Sequence, residues 1–118
     1  MSTFTENQVQ IISNLLIDNG LIASEVKENP SLEYYPDFVI ELQWAICNCY
    51  SLYMDVLNNK VNEELVLNRM TSILNKLSQY RDKYIDYEAN TVGNLMFRYM
   101  NSLFDKTSES FEEFFNTL

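Results

Sequence analysis

The chain has 118 residues, 47% of them apolar, with seventeen acids against eight bases and no histidine. That length and apolar content suit one domain with a packed core and exclude a disordered chain. Two glycines and two prolines argue against a many-turned all-β fold, and a net charge of −9 disfavours nucleic acid and anionic membranes as direct ligands.

The first helix has a marked start. Thr5 is the predicted N-cap, Gln8 follows three residues later as in a capping box, and Phe4 and Val9 occupy the positions of a hydrophobic staple. Val9, Ile12, Leu15, Leu16 and Ile17 make an apolar face, so a helix over about 6–18 is predicted. Gly20 is read as its left-handed stop, with Leu21 folding back on Leu16. Residues 21–35 then read as a connection with at most a helical turn at 23–28.

Pro36 suits the first turn of the second helix and Asp37 its positive end; the pattern runs to about Leu57. Phe38, Leu42, Ala45, Ile46, Cys49, Leu52, Tyr53 and Val56 form its main apolar side, and Ile40, Cys47, Tyr50 and Met54 extend it. A helix apolar on most sides is expected at the centre of a bundle. One narrow stripe is polar: Asp37, Glu41, Trp44, Asn48, Ser51 and Asp55, spaced alternately by four and three and so on one face. Trp44, the only tryptophan, sits in the middle of it.

Asn62 is the predicted cap of the third helix, with Glu63 and Glu64 in its first turn. Val66, Met70, Ile73, Leu77, Tyr80, Tyr84 and Tyr87 continue as a heptad seam, which suits an antiparallel partner helix in the same chain. The short connection at 58–62 allows a hairpin with the second helix. Asn90 is the predicted cap of a fourth helix over about 91–105, with Val92, Leu95, Met96, Tyr99 and Leu103 inward and Gly93 as a local weakness. Ser108 or Ser110 would cap a last short helix carrying Phe111, Phe114, Phe115 and Leu118. The expected fold is all-α: one domain over 1–118, a bundle of four to five helices around a central antiparallel hairpin.

Catalytic signatures are missing. Without histidine the commonest general base and neutral metal ligand are gone. There is no Cys-x-x-Cys and no glycine-rich phosphate loop, and the acids of the second helix lack the Glu-x-x-His of carboxylate-bridged metal bundles. The reading is therefore no enzyme, no metal and no cofactor. Cys47 and Cys49 face different sides of a helix and are read as small buried hydrophobes. No apolar run is long enough to span a membrane, and the opening "MSTFTENQ" lacks the pattern of a secretory signal, so the cytoplasm is the expected compartment.

Binding has better support. Residues 1–57 hold eight acids against one base, a net −7, which favours a basic protein partner. Tryptophan and tyrosine dominate interface hot spots. The candidate contact residues are Glu33, Tyr34, Tyr35, Asp37, Glu41, Trp44, Asn48 and Asp55. Two alternatives stay open: Trp44 is either exposed or covered by the first helix or the 21–35 connection. The tyrosines of "LEYYPDF" either join Phe38, Tyr80, Tyr84 and Tyr87 at one end of the bundle or stay exposed.

Small size, acidity, a residue usage that points to an A/T-rich gene (three Ala and three Arg) and the missing catalytic motifs together give a profile. In that profile the chain resembles bacterial toxin-immunity proteins, including those of contact-dependent growth inhibition systems. The resemblance implies a monomeric cytoplasmic inhibitor that neutralises a basic toxin, a nuclease, by covering its active site. A phage-encoded inhibitor of host defence, of the anti-CRISPR or anti-restriction kind, and a helical adaptor that oligomerises through its heptad seam are the alternatives.

Overall fold

A computed structural model describes residues 3–118. Thr5 starts helix α1 (Glu6–Lys27) as predicted: its Oγ1 accepts from the Gln8 N–H at 3.1 Å, and Gln8 Oε1 accepts from the Thr5 N–H at 2.8 Å. The helix does not stop at Gly20. Ile22 and Val26 continue the buried face begun by Ile11, Ile12 and Leu15. Burying two such side chains outweighs the roughly 1 kcal/mol that a glycine costs inside a helix. The connection shrinks accordingly to a 3₁₀ turn, Pro30–Tyr34, anchored by the buried Leu32.

Helix α2 (Pro36–Leu57) matches its predicted limits. The left-handed stop expected at Gly20 is found at its end instead. Asn59 has φ 53°, its N–H donates to the Val56 carbonyl at 3.2 Å, and the Lys60 N–H donates to the Asp55 carbonyl at 2.9 Å. That is the paired bonding of a Schellman motif, with asparagine tolerating the conformation. Helix α3 (Glu63–Asp82) is capped by Asn62, whose Oδ1 accepts from the Leu65 N–H at 2.9 Å. Val66, Met70, Ile73 and Leu77 are buried as the heptad requires. The helix ends before the seam does, so Tyr84 turns inward while Tyr87 comes out to the surface.

Helix α4 runs unbroken over Val92–Phe115, where two helices were expected. Its cap is Thr91, not Asn90; Thr91 Oγ1 accepts from the Asn94 N–H at 3.1 Å, and Asn90 takes a left-handed φ of 67°. No glycine or proline interrupts residues 94–115, and Met96, Met100, Leu103, Thr107, Phe111 and Phe114 follow one buried face. Thr107 hides that continuity because it is a polar residue at a core position. Gly93 has a packing role. The Tyr87 ring lies on it, and an added Cβ would fall inside that ring.

The four helices form a ring: α1 packs on α2 and α4, and α3 packs on α2 and α4. Gln8 Nε2 donates to Thr117 Oγ1 at 3.0 Å, and the Phe4 and Phe114 rings meet at 5.9 Å, closing α1 onto the end of α4. The body measures 49 × 24 × 19 Å around one continuous core. In a ring no helix is central, so α2 keeps an outer face, and Ile40, Cys47 and Tyr50 lie exposed on it. Cys49 is buried and its thiol is pushed up to about 12, first by burial, with the Asn19 amide beside it pulling the other way. Cys47 is thus not the buried hydrophobe expected. No helix among the described residues is long and apolar enough to cross a membrane.

The two glycines separate the roles of helix propensity and packing. A methyl at Gly20 meets nothing within 4 Å. Gly20→Ala is expected to raise stability by about 0.5–1 kcal/mol in urea denaturation. Gly93→Ala is expected to lower it by about 1–3 kcal/mol, because Tyr87 must be displaced.

Candidate functional site

The start of α2 and the end of α3 lie side by side and bring the candidate residues into two environments. The first is internal. Glu41 is only 4% exposed. Its Oε1 accepts from the Tyr84 hydroxyl and its Oε2 from the Lys83 ammonium. Further along the same face, the Trp44 ring meets Tyr80 edge-on, with centroids 5.8 Å apart at 84°. Asn48 Nδ2 donates to the Trp44 carbonyl at 2.7 Å. Asp55 accepts from Arg69 at 2.5 Å, and Arg69 also donates to Ser51 Oγ at 3.1 Å.

The polar stripe of α2 is therefore the seam against α3. Trp44 is partly buried, and the Tyr80 ring of α3 packs against it. The physical reason is charge matching. The bases Arg69 and Lys83 lie on the α3 side at the heights of Asp55 and Glu41; Lys83 keeps the buried Glu41 from being an unpaired charge, while Arg69 and Asp55 form a partly exposed pair.

The second environment is a mouth open to solvent. Tyr34, Tyr35, Asp37, Lys83, Tyr84 and Tyr87 line a cleft of about 280 Å³ floored by Phe38 and Met96. Tyr34 is 83% exposed, while Tyr35 and Tyr87 are about half exposed. Glu33 is exposed beside them in the 3₁₀ turn. Beneath, Phe38 meets Tyr84 edge-on at 6.1 Å, and Tyr84 meets Tyr87 at 6.3 Å. Of the aromatic cluster expected at this end, Phe38, Tyr84 and Tyr87 assemble. The two tyrosines of "LEYYPDF" stay at the surface.

Lys83 is not among the residues the sequence singles out, because it stands among the mixed charges Arg81, Asp82 and Asp86, a pattern typical of a solvated helix face. A better signal was its place opposite Glu41 in the expected hairpin. The Glu41 hydrogen bond holds the Lys83 ammonium above its usual range. Burial, then the hydrogen bond to Glu41, pushes the Tyr84 hydroxyl up as well.

Both Glu41 oxygens are committed to the fold. What the mouth offers outward is flat aromatic area, phenol hydroxyls, the Asp37 carboxylate and the Lys83 ammonium, the repertoire of a contact surface. No protein-family model, no curated protein and no solved structure matches this chain.

Removing the Tyr84 hydroxyl leaves a buried carboxylate oxygen without its donor. Tyr84→Phe is expected to cost about 1–3 kcal/mol in urea denaturation. Tyr84 and Lys83 both hold their protons more tightly folded than at their ordinary values of 10.0 and 10.5. Their stabilising contribution is therefore complete below about pH 10 and lost as pH rises beyond it. The denaturation midpoint should stay level from neutral pH to about 9 and fall above 10, and the fall should be shallower in Tyr84→Phe.

Proposed function

We propose that this chain is a small inhibitor of the immunity type, a monomer acting in the cytoplasm, which binds a basic protein toxin, a nuclease, and masks its active surface. The observation that carries this reading is the open mouth, where Tyr34, Tyr35 and Tyr87 are presented with Asp37, next to the exposed Glu33 of the adjoining turn. Exposed tyrosines supply large contact area with few rotors to freeze, and acids beside them attract a basic partner.

Charge distribution supports the same reading. Of the eight acids in residues 1–57, Glu41 and Asp55 are neutralised by Lys83 and Arg69. Among the described residues, Glu6, Asp18, Glu25, Glu28, Glu33 and Asp37 have no salt-bridge partner. An unpaired acidic half raises the association rate with a basic surface and competes with nucleic acid for it.

The test is binding to the product of the adjacent gene. Affinity should fall steeply as salt is added. Tyr34→Ala should weaken binding by about 2 kcal/mol or more without shifting the thermal midpoint. Trp44→Ala should do the reverse, lowering the midpoint through its lost contact with Tyr80 while binding changes little. A salt-independent complex, or a complex indifferent to Tyr34, Tyr35 and Asp37 substitutions, would count against the proposal.

A further inference from the structure

Among the described residues, three buried side-chain nitrogen or oxygen atoms have no hydrogen-bond partner, and two of them are the amide atoms of Asn19. Asn19 is fully buried on the core face of α1, about a turn from Leu15 and from Ile22. The Cys49 thiol lies beside the amide but leaves both of its atoms unsatisfied. A buried amide without partners destabilises the fold where it stands. The residue after it gives it a second property: Asn19 is the only asparagine of the chain followed by glycine.

Asparagine before glycine is the peptide sequence most prone to lose its side-chain amide, because glycine has no Cβ to hinder ring closure. The Gly20 nitrogen attacks the Asn19 side-chain carbonyl carbon and forms a C–N bond. The side-chain nitrogen leaves as ammonia, taking up the Gly20 amide proton. Water then opens the five-membered imide on either side, giving aspartate or isoaspartate and releasing a proton. Helix α1 prevents the first step. It runs unbroken through both residues, so the Gly20 N–H is committed to the Leu16 carbonyl and helical backbone angles turn its nitrogen away from the Asn19 side chain. Burial of Asn19 keeps water from the second step.

Neither product fits the fold. The buried polar side chains are Gln8, Asn19, Glu41 and Thr107, and no lysine or arginine among the described residues is buried with them. A carboxylate at this place is therefore an unpaired charge in the core. Isoaspartate routes the backbone through the side-chain carbon and adds an atom to the middle of α1, between the buried Leu15 and Ile22. We propose that Asn19–Gly20 is a modification site that records unfolding: the folded helix protects it, and a chain left unfolded deamidates there and cannot return to the native state. This timer does not depend on what the chain binds.

Wild-type protein is held warm at neutral pH for several days, folded in buffer or unfolded in guanidinium chloride, and then returned to buffer. Peptide mass mapping should find Asn19 converted at least tenfold faster in the unfolded sample. The fraction that refolds, read by circular dichroism and gel filtration, should fall in step with conversion, and the refolded pool should hold intact Asn19. Gly20→Ala keeps the helix and meets open space. It should convert at least tenfold more slowly in guanidinium chloride and refold in full after the same incubation. Asn19→Asp should fall short of the wild-type denaturation midpoint. Equal conversion of the folded sample, converted chains in the refolded pool, or a wild-type midpoint in Asn19→Asp overturns the timer. So does a Gly20→Ala chain that loses refolding as fast as wild type, because the lesion then lies elsewhere.

Discussion

A carboxylate can lie inside a helical bundle only if its oxygens are matched, and Glu41 imposes that condition on this fold. Its two oxygens take the Tyr84 hydroxyl and the Lys83 ammonium, both just beyond the last turn of α3. That contact ties the first turns of α2 to the end of α3 and sets the register of the hairpin. In that register Trp44 meets Tyr80 and Asp55 meets Arg69 further down. It also turns Tyr84 inward, where it carries Phe38 on one side and Tyr87 on the other. Tyr87 in turn lies over Gly93 at the start of α4. A single buried acid thus links three of the four helices.

The same constraint shapes the surface. The bases that α3 spends on Glu41 and Asp55 neutralise the inner acids of α2. The acids of α1, of the 3₁₀ turn and of the α2 start keep their charge toward solvent. The proline-bracketed turn holds Tyr34 and Tyr35 outside the packed cluster, because Phe38 and Tyr84 already fill its interior. One flank of α2 is satisfied by α3, and the flank toward α1 is left with two largely apolar clefts, one beside Glu6 and one between Lys27 and Glu33. Exposed aromatic area, apolar clefts and unpaired acids thus lie together on one half of the molecule, and the proposed inhibitor reading rests on that combination.

Local signals were legible where a short-range bond carries them. The Thr5 capping box, the Pro36 start and the Asn62 cap each depend on residues within one turn, and each stands where the sequence places it. Signals that compete with packing were not. Gly20 has the look of a helix stop, but a glycine ends a helix only when the residues after it gain nothing by continuing, and Ile22 and Val26 gain burial. Gly93 has the look of a defect, and its reason is the Tyr87 ring, which the turn before α4 folds back onto it. The break expected near Ser108 is absent because Thr107 can occupy a core position while scoring as polar.

The amino-acid sequence alone determined the helical class, the α2–α3 hairpin and the heptad seam of α3. These follow from periodicity and from the scarcity of glycine and proline, which act over a few residues. It also determined the acidic half, since charge is a sum over the chain. Only the tertiary structure decided which way the acidic stripe of α2 faces. A stripe of three acids and a tryptophan has the same helical spacing whether it meets water, a partner or α3. The choice depends on whether groups at matching heights beside α2 can offset the desolvation of Glu41 and pair Asp55, and Lys83 and Arg69 stand at those heights.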